Sequence, residues 1–234
     1  MPCPYLPGRF ERKLVTELRG PEANGVHDLL SRAGFRRSHS IAYLPACSDC
    51  NACVPVRVSC ADFKPGRSFR RIQAKNDDIV RSIVPPSATQ EQFQLFSTYQ
   101  DARHGNGDMA RMDARDYRAM VEDSTIDTSI FEYRRPDGSL IAVALVDNLS
   151  DGLSAVYSFF DPKEHKRCLG TYIILDLIAE AQAFEFPHIY LGYWISDCRK
   201  MSYKMRFQPL EGFKNGRWEI MSDDATQARP NGSS

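Results

Sequence analysis

No stretch of this sequence stays apolar for the roughly 18 residues that a membrane-spanning helix needs, so no helical membrane anchor is expected. Net charge is missing as well, since 30 Lys and Arg balance 30 Asp and Glu. Any grip on a polyanion must therefore come from local patches, not from the field of the whole chain. The opening MPCPYLPG lacks both the basic and the apolar region of a secretory signal, which makes the cytoplasm the expected location. No internal repeat is visible, which sets repeat architectures aside. Even-numbered, evenly spaced cysteines are lacking too. The seven present are an odd and clustered set, which fits a reducing compartment better than a disulfide framework.

What remains is an ordinary globular composition, 42% hydrophobic and 26% charged, over 234 residues. That length suits one large domain or two small ones. Residues 1–75 read as a small α+β unit. It has a strand over 14–18, a helix over 25–33 with Val26, Leu29 and Leu30 as its apolar stripe, a strand over 36–43 and an alternating strand over 54–59. Pro85 and Pro86 mark a linker over 76–88. A second unit spans 89–222. Helices are predicted over 113–123 and 170–183, with strands over 128–133, 140–146, 153–160, 188–195 and 217–221, and 202–207 looks helical. Phe93, Phe96 and Tyr99 recur on a further helix, and Pro136-Asp137-Gly138 is a hairpin turn. Residues 223–234 read as a frayed tail.

Two features carry chemistry in the first unit. Cys47, Cys50 and Cys53 form a CxxCxxC cluster, and Cys3 offers a fourth thiol from across the unit. Thiolates at this spacing reach one soft metal, so zinc or an iron–sulfur cluster is a candidate ligand. Reduced thiols buried in a small domain are the other reading. Lys64, Arg67, Arg70, Arg71 and Lys75 follow with no acid between them, a run that suits phosphates. A second basic stretch, Arg199, Lys200, Lys204, Arg206, Lys214 and Arg217, either extends that surface or is a plain solvated face.

The second unit holds a strand–loop–helix–strand over 154–193, with His165-Lys166-Arg167-Cys168-Leu169-Gly170-Thr171 as its loop. A helix start with exposed N–H groups, a positive dipole end and nearby cations binds phosphate, and a glycine lets backbone approach the anion. This element resembles the donor motif of the GCN5-related N-acetyltransferase fold, with one glycine where that family often has two. An ordinary basic helix cap is the alternative. His104, beside Asp101 and Asp108, is either a general base or a solvated loop residue. Tyr193 and Trp194 either stack on a nucleobase or pack in the core.

Longer matches then run through almost the whole chain: Cys3-Pro4-Tyr5-Leu6-Pro7-Gly8-Arg9, Gly34-Phe35-Arg36-Arg37-Ser38, Cys47 through Arg57, Arg67-Ser68-Phe69-Arg70-Arg71, Leu169-Gly170-Thr171, Leu191-Gly192-Tyr193-Trp194-Ile195 and Lys200 through Phe207. In these the chain resembles bacterial aspartate/glutamate leucyltransferases, relatives of the arginyl-tRNA–protein transferases. It starts almost on the Cys-Pro-Tyr-Leu-Pro stretch, where some preceding residues are expected.

The resemblance implies an α+β protein with an acetyltransferase-like catalytic domain behind a small cysteine-containing one. It implies transfer of leucine from leucyl-tRNA to the α-amine of proteins beginning with Asp or Glu, which marks them for degradation. Arginyl transfer to the same acceptors, acetyl-coenzyme A-dependent acetylation and a non-catalytic RNA-binding adaptor are the alternatives. The ester donor is already activated, so the chemistry requires no cofactor. By the topology of that fold, Tyr203 is the candidate proton donor to the leaving ribose hydroxyl, with core packing as its alternative. Arg57, Arg67, Arg70, Arg71, Lys75, Lys166 and Arg167, together with Leu169, Gly170 and Thr171, are the candidates for tRNA phosphate or the acceptor carboxylate.

Overall fold

A computed structural model describes residues 1–104 and 107–222, without the side chains of His104 and Asp108. The residue 223–234 tail lies outside that description. In chain order the elements are β1 (Lys13–Glu17), α1 (Ala23–Arg32), β2 (Arg36–Ser38), β3 (Ile41–Pro45), β4 (Val54–Ser59), α2 (Arg67–Ala74), β5 (Val80–Val84), α3 (Gln90–His104), α4 (Ala114–Glu122), β6 (Thr128–Arg134), β7 (Leu140–Leu149), β8 (Gly152–Phe160), α5 (Leu169–Ala183), β9 (His188–Trp194), β10 (Leu210–Lys214) and β11 (Arg217–Ile220). Short 3₁₀ turns cover Asp108–Arg111, Pro162–Arg167 and Arg199–Arg206. The chain is thus a mixed α+β protein.

Eight strands form one sheet in the order β11-β10-β4-β9-β8-β7-β6-β5. Its pairs are antiparallel except β8 with β9, which run parallel and are joined by α5. The central strand β7 is buried on both faces, which explains its unbroken apolar run. Val143 and Leu145 meet α3 and α4 through Phe96, Tyr117 and Met120. Ala142, Ala144 and Val146 face α5 on the other side. Leu169, Ile173, Ile174, Leu177, Ile178 and Ala181 bury the inner stripe of α5 there. Each large apolar side chain so buried contributes about 1.5–3 kcal/mol. The start of α4 follows from its sequence: Asp113 accepts the Arg115 and Asp116 amides, and Asp116 accepts the Asp113 amide in return, closing a capping box.

The two sequence units share this sheet. β4, from the first, lies between β9 and β10, and Val56, Val58, Phe69 and Ile72 belong to the same core as α5. Residues 80–84, inside the expected linker, form the edge strand β5 against β6. The expected strand over 36–43 is instead a hairpin, β2 and β3, which forms a small sheet with β1. Of the apolar stripe expected on α1, Leu30 packs against the small core of Leu18, Ala23, Ala42 and Ile126, but Leu29 is 64% and Val26 39% exposed, while Ala23, His27 and Ser31 turn inward. The reason is polar. The His27 ring lies 2.9 Å from the buried Asp147 carboxylate of β7, and that contact sets the helix's rotation.

Candidate functional site

The parallel strands pair only from Gly152–His188 to Ser154–Tyr190 and then part. Beyond that fork, β8 has no strand on its β9 side. Arg36 enters the fork from β2 and donates to the carbonyls of Ala155 and Val156. Gly192 of β9 makes room for it: at φ +73° a side chain is disfavoured, and an added Cβ would fall on the guanidinium. On the other side of the fork Lys204 is buried and donates to the carbonyls of Leu191, at 2.8 Å, and Tyr193. Burial, followed by the charge of Arg36, lowers its pKa to about 7, whereas the two carbonyls favour its ammonium form. Two cationic side chains thus satisfy the backbone that the parting strands expose.

Above the fork lies a pocket of about 550 Å³, of the size that takes a small-molecule or chain-end ligand. α3 supplies Tyr99 and Arg103, the end of β8 supplies Ser158 and Phe160, the α5 start supplies Leu169, Gly170 and Thr171, and the Arg199–Arg206 turn supplies Lys200 and Tyr203. Cys168 adopts a left-handed conformation (φ 55°) that turns the chain into α5. The Thr171 and Tyr172 amides close back on its carbonyl. Leu169 and Gly170 carry the first amides of the helix, ahead of its hydrogen-bonded ladder, a position whose N–H groups can receive an anion. The Tyr203 ring packs edge-on against Phe207, 6.4 Å between centroids, and its side keeps 38% exposure. Loss of solvent raises its pKa, with Arg36 pulling the other way, so the phenol stays protonated at neutral pH.

The residues expected at a site divide into three groups. Tyr203, Leu169, Gly170 and Thr171 meet in the pocket. Arg67, Arg70, Arg71 and Lys75 stand exposed on or just after α2, a helix the sequence reading left unassigned, and Lys166 is exposed nearby, its carbonyl 3.4 Å from the Lys75 amine. Arg57 and Arg167 are taken. Arg57 donates to Glu211 at 2.6 Å and lies 4.4 Å over the Trp218 ring, and Arg167 grips Asp78 at 2.6 and 2.8 Å and Glu164 at 3.0 Å. Neither is free to meet an incoming anion. Of the second basic stretch, Lys204 is buried, Arg217 pairs with Glu219, and Arg206 lies 5.0 Å over Phe69 of α2. His104 ends α3, but its side chain lies outside the described residues. Tyr193 and Trp194 are 4% and 5% exposed and belong to the interior; the Tyr193 hydroxyl donates to the Tyr43 carbonyl at 2.8 Å.

Cys3, Cys47, Cys50 and Cys53 do converge on one small pocket. Burial and the neighbouring thiols of Cys3, Cys50 and Cys47 push the Cys53 thiol up to about 11. Among the described residues, however, no three His, Cys, Asp or Glu side chains stand as a set that holds a metal ion. The zinc or iron–sulfur expectation therefore finds no ligand set among the described residues, although the four thiols line one pocket. Sequence alone assigns no role to Arg103, which lines the pocket, or to Arg36, which lies at the fork beside it. The strand end over 157–160, whose backbone N–H groups are candidates for stabilising an oxyanion, does reach the pocket through Ser158 and Phe160.

Comparison with known proteins bears on this geometry. The family models for the N and C termini of arginine-tRNA-protein transferase match residues 1–71 and 91–214. A protein of Paramagnetospirillum magneticum named aspartate/glutamate leucyltransferase is 57% identical over 94% of this chain and 90% of its own length. Proteins of the same name from Gluconacetobacter diazotrophicus and Granulibacter bethesdensis are 55% and 52% identical, over 96% and 98% of this chain and 86% and 88% of theirs. Among solved structures, L-PGS from Bacillus licheniformis superposes with a TM-score of 0.48 at 11% identity, over 77% of this chain and 52% of that one, too distant to inform the fold. No helix among the described residues is long and apolar enough to cross a membrane. The chain belongs to the arginine-tRNA–protein transferase family and is an aminoacyl-tRNA–protein transferase.

Proposed function

We propose that the pocket is where leucine passes from the 3′ end of leucyl-tRNA to the α-amine of a protein that begins with Asp or Glu. One observation carries this reading: a helix start with open amides, a protonated tyrosine and cations share one pocket above diverging parallel strands. That arrangement also supports the acetyltransferase-like fold. The exposed bases of α2 lie beyond, where Arg206 bridges the 3₁₀ turn to Phe69, and offer a path for the acceptor stem.

The neutral α-amine attacks the ester carbonyl, a carbon–nitrogen bond forms, and the ribose oxygen leaves. The attacking amine has a reference pKa of roughly 7.7–8.0, so a useful fraction is neutral at cytoplasmic pH without a strong base. Tyr203 gives its proton to the departing ribose oxygen, and the proton shed by the amine restores the phenol. The raised pKa of Tyr203 keeps it charged with that proton beforehand. Amides at the helix start suit either the terminal phosphate or the developing oxyanion. An aminoacyl-tRNA donor puts the reaction in the cytoplasm, and its product, an N-terminal leucine, is a degradation mark.

The test is transfer of radiolabelled leucine or arginine from charged tRNA to peptides beginning with Asp, Glu, Lys, Arg or Ala. Leucine on the Asp and Glu peptides alone is the expected result. Arginine on those peptides would keep the site and correct the donor, and label on Lys or Arg peptides would overturn the acceptor.

A further inference from the structure

Pairing separates the cations around the pocket. Glu164 lines it but is already held by Arg135 and Arg167, at 2.5 and 3.0 Å. Arg103 and Lys200 line it with no carboxylate partner among the described residues. The rest of the cations proposed from sequence are clamped elsewhere, as Arg57 and Arg167 are, or stand outside the pocket wall, on or just after α2 and, for Lys166, in the Pro162–Arg167 turn.

Arg103 and Lys200 differ in chemistry and in place. Lys200 is a point charge on the same 3₁₀ turn as Arg206, and so continues the basic face that runs from α2. Arg103 projects from the last turn of α3, and its guanidinium lies 5.5 Å over the Phe160 ring. That same ring abuts the start of α5: a Cβ on Gly170 would come within 3.1 Å of it. A cation held over a ring face still has its N–H groups to offer. A planar guanidinium fork suits a carboxylate, which it meets with two parallel hydrogen bonds.

Building on the transfer-pocket reading above, we propose that Arg103 is the residue that reads the side-chain carboxylate of the acceptor's first amino acid. Lys200 and the α2 bases are then left to the nucleic acid. Selectivity arises because an amide in place of the carboxylate loses the charge-assisted pair, and a cationic side chain meets like charge.

The experiment uses the whole protein with leucyl-tRNA and peptides beginning with Asp, Glu, Asn or Gln. In Arg103→Gln the KM for Asp and Glu peptides rises about tenfold or more, Asn and Gln peptides change little, and affinity for leucyl-tRNA stays as it was. Arg103→Lys recovers part of the preference, because charge returns without the fork. An equal fall for Asp and Asn peptides, or weakened tRNA binding with unchanged peptide KM, would overturn the assignment; the latter would give Arg103 to a phosphate. A plugged variant, Thr171→Trp, separates the layers. If it stops transfer while Arg103→Gln leaves the Asp/Asn ratio intact, Arg103 alone is wrong. If it transfers at full rate, the pocket reading falls and Arg103 with it.

Discussion

Arg36 and Arg37 are consecutive residues of one short strand, but their surroundings differ completely. Arg37 points into the protein and is 3% exposed. It meets both oxygens of Asp147 at 2.7 Å, with Thr128 at 2.9 Å and His27 at 2.9 Å completing the carboxylate's shell. Arg36 points to the fork and meets only backbone carbonyls, so its charge stays uncancelled beside Tyr203 and Lys204. The same split runs through the molecule. Arg81 is braced by Asp176 and Glu180, Arg134 by Glu91 and Glu132, and Arg57 by Glu211. Arg36, Arg103, Lys200 and Arg206 have no such partner among the described residues, and they surround the pocket and its approach. In a chain of zero net charge, positive charge can act locally where cations such as these lack a carboxylate partner.

The braced half of this comparison breaks most severely. Asp147→Asn leaves the Arg37 charge buried without a counter-ion, and it should cost about 3–5 kcal/mol of stability, a fall in Tm on the order of 10 °C. A loss below about 1 kcal/mol in urea unfolding would show that Arg37 finds its own solvation. The same carboxylate gives a pH dependence. Burial opposes its ionisation, but His27 and Arg37 outweigh that and hold its pKa below the usual carboxylate value. The folded state therefore binds fewer protons than the unfolded one in acid. The stability that Asp147 contributes is present above its unfolded pKa and is lost as pH falls toward the folded one. The Asn variant should flatten that part of the acid-unfolding curve.

On the open half, Tyr203→Phe should lower kcat about a hundredfold, with the fold and tRNA affinity intact; unchanged turnover would return Tyr203 to a packing role. The smallest effect belongs to the outlying bases. Changing Arg70, Arg71 and Lys75 together to Ala should reduce the salt slope of leucyl-tRNA binding by about two to three, from roughly 0.7–0.9 per lost contact, without altering peptide selectivity. Arg57→Ala, in contrast, should leave that slope where it was, because its charge is spent on Glu211. Equal slope changes in the two variants would erase the distinction between braced and open cations.

Local pattern was enough for much of the fold. The α5 stripe, the β6–β7 turn and the Asp113 cap are set by contacts within a few residues, and each is visible in the sequence. The matched motifs carried family membership because they extend over nearly the whole chain. Both the start of α5 and Tyr203 were legible as candidates, one from helix-end electrostatics and the other by analogy of topology, and the structure brings them into one pocket. The α1 stripe departs from its expected packing at Val26 and Leu29, which stay exposed on the face opposite a buried polar contact: the His27 ring reaches Asp147, 120 positions away. Residues 80–84 were missed because prolines beside an edge strand look like a linker.

The sequence by itself therefore determined the elements whose forces are local, and the family that its long motifs share. It also supplied every charge the protein has. Which of those charges are spent was decided only by tertiary structure, because ion pairing depends on distance in space and each decisive pair here spans a long stretch of chain. Arg57 meets Glu211 and Arg167 meets Asp78 across the fold, while Arg103, unremarkable in sequence, is set over Phe160 at the pocket wall. Coulomb energy at hydrogen-bond distance in a poorly solvated setting is several times its value in water, so the fold, by choosing neighbours, chooses which arginines hold the protein together and which stay unpaired around the pocket.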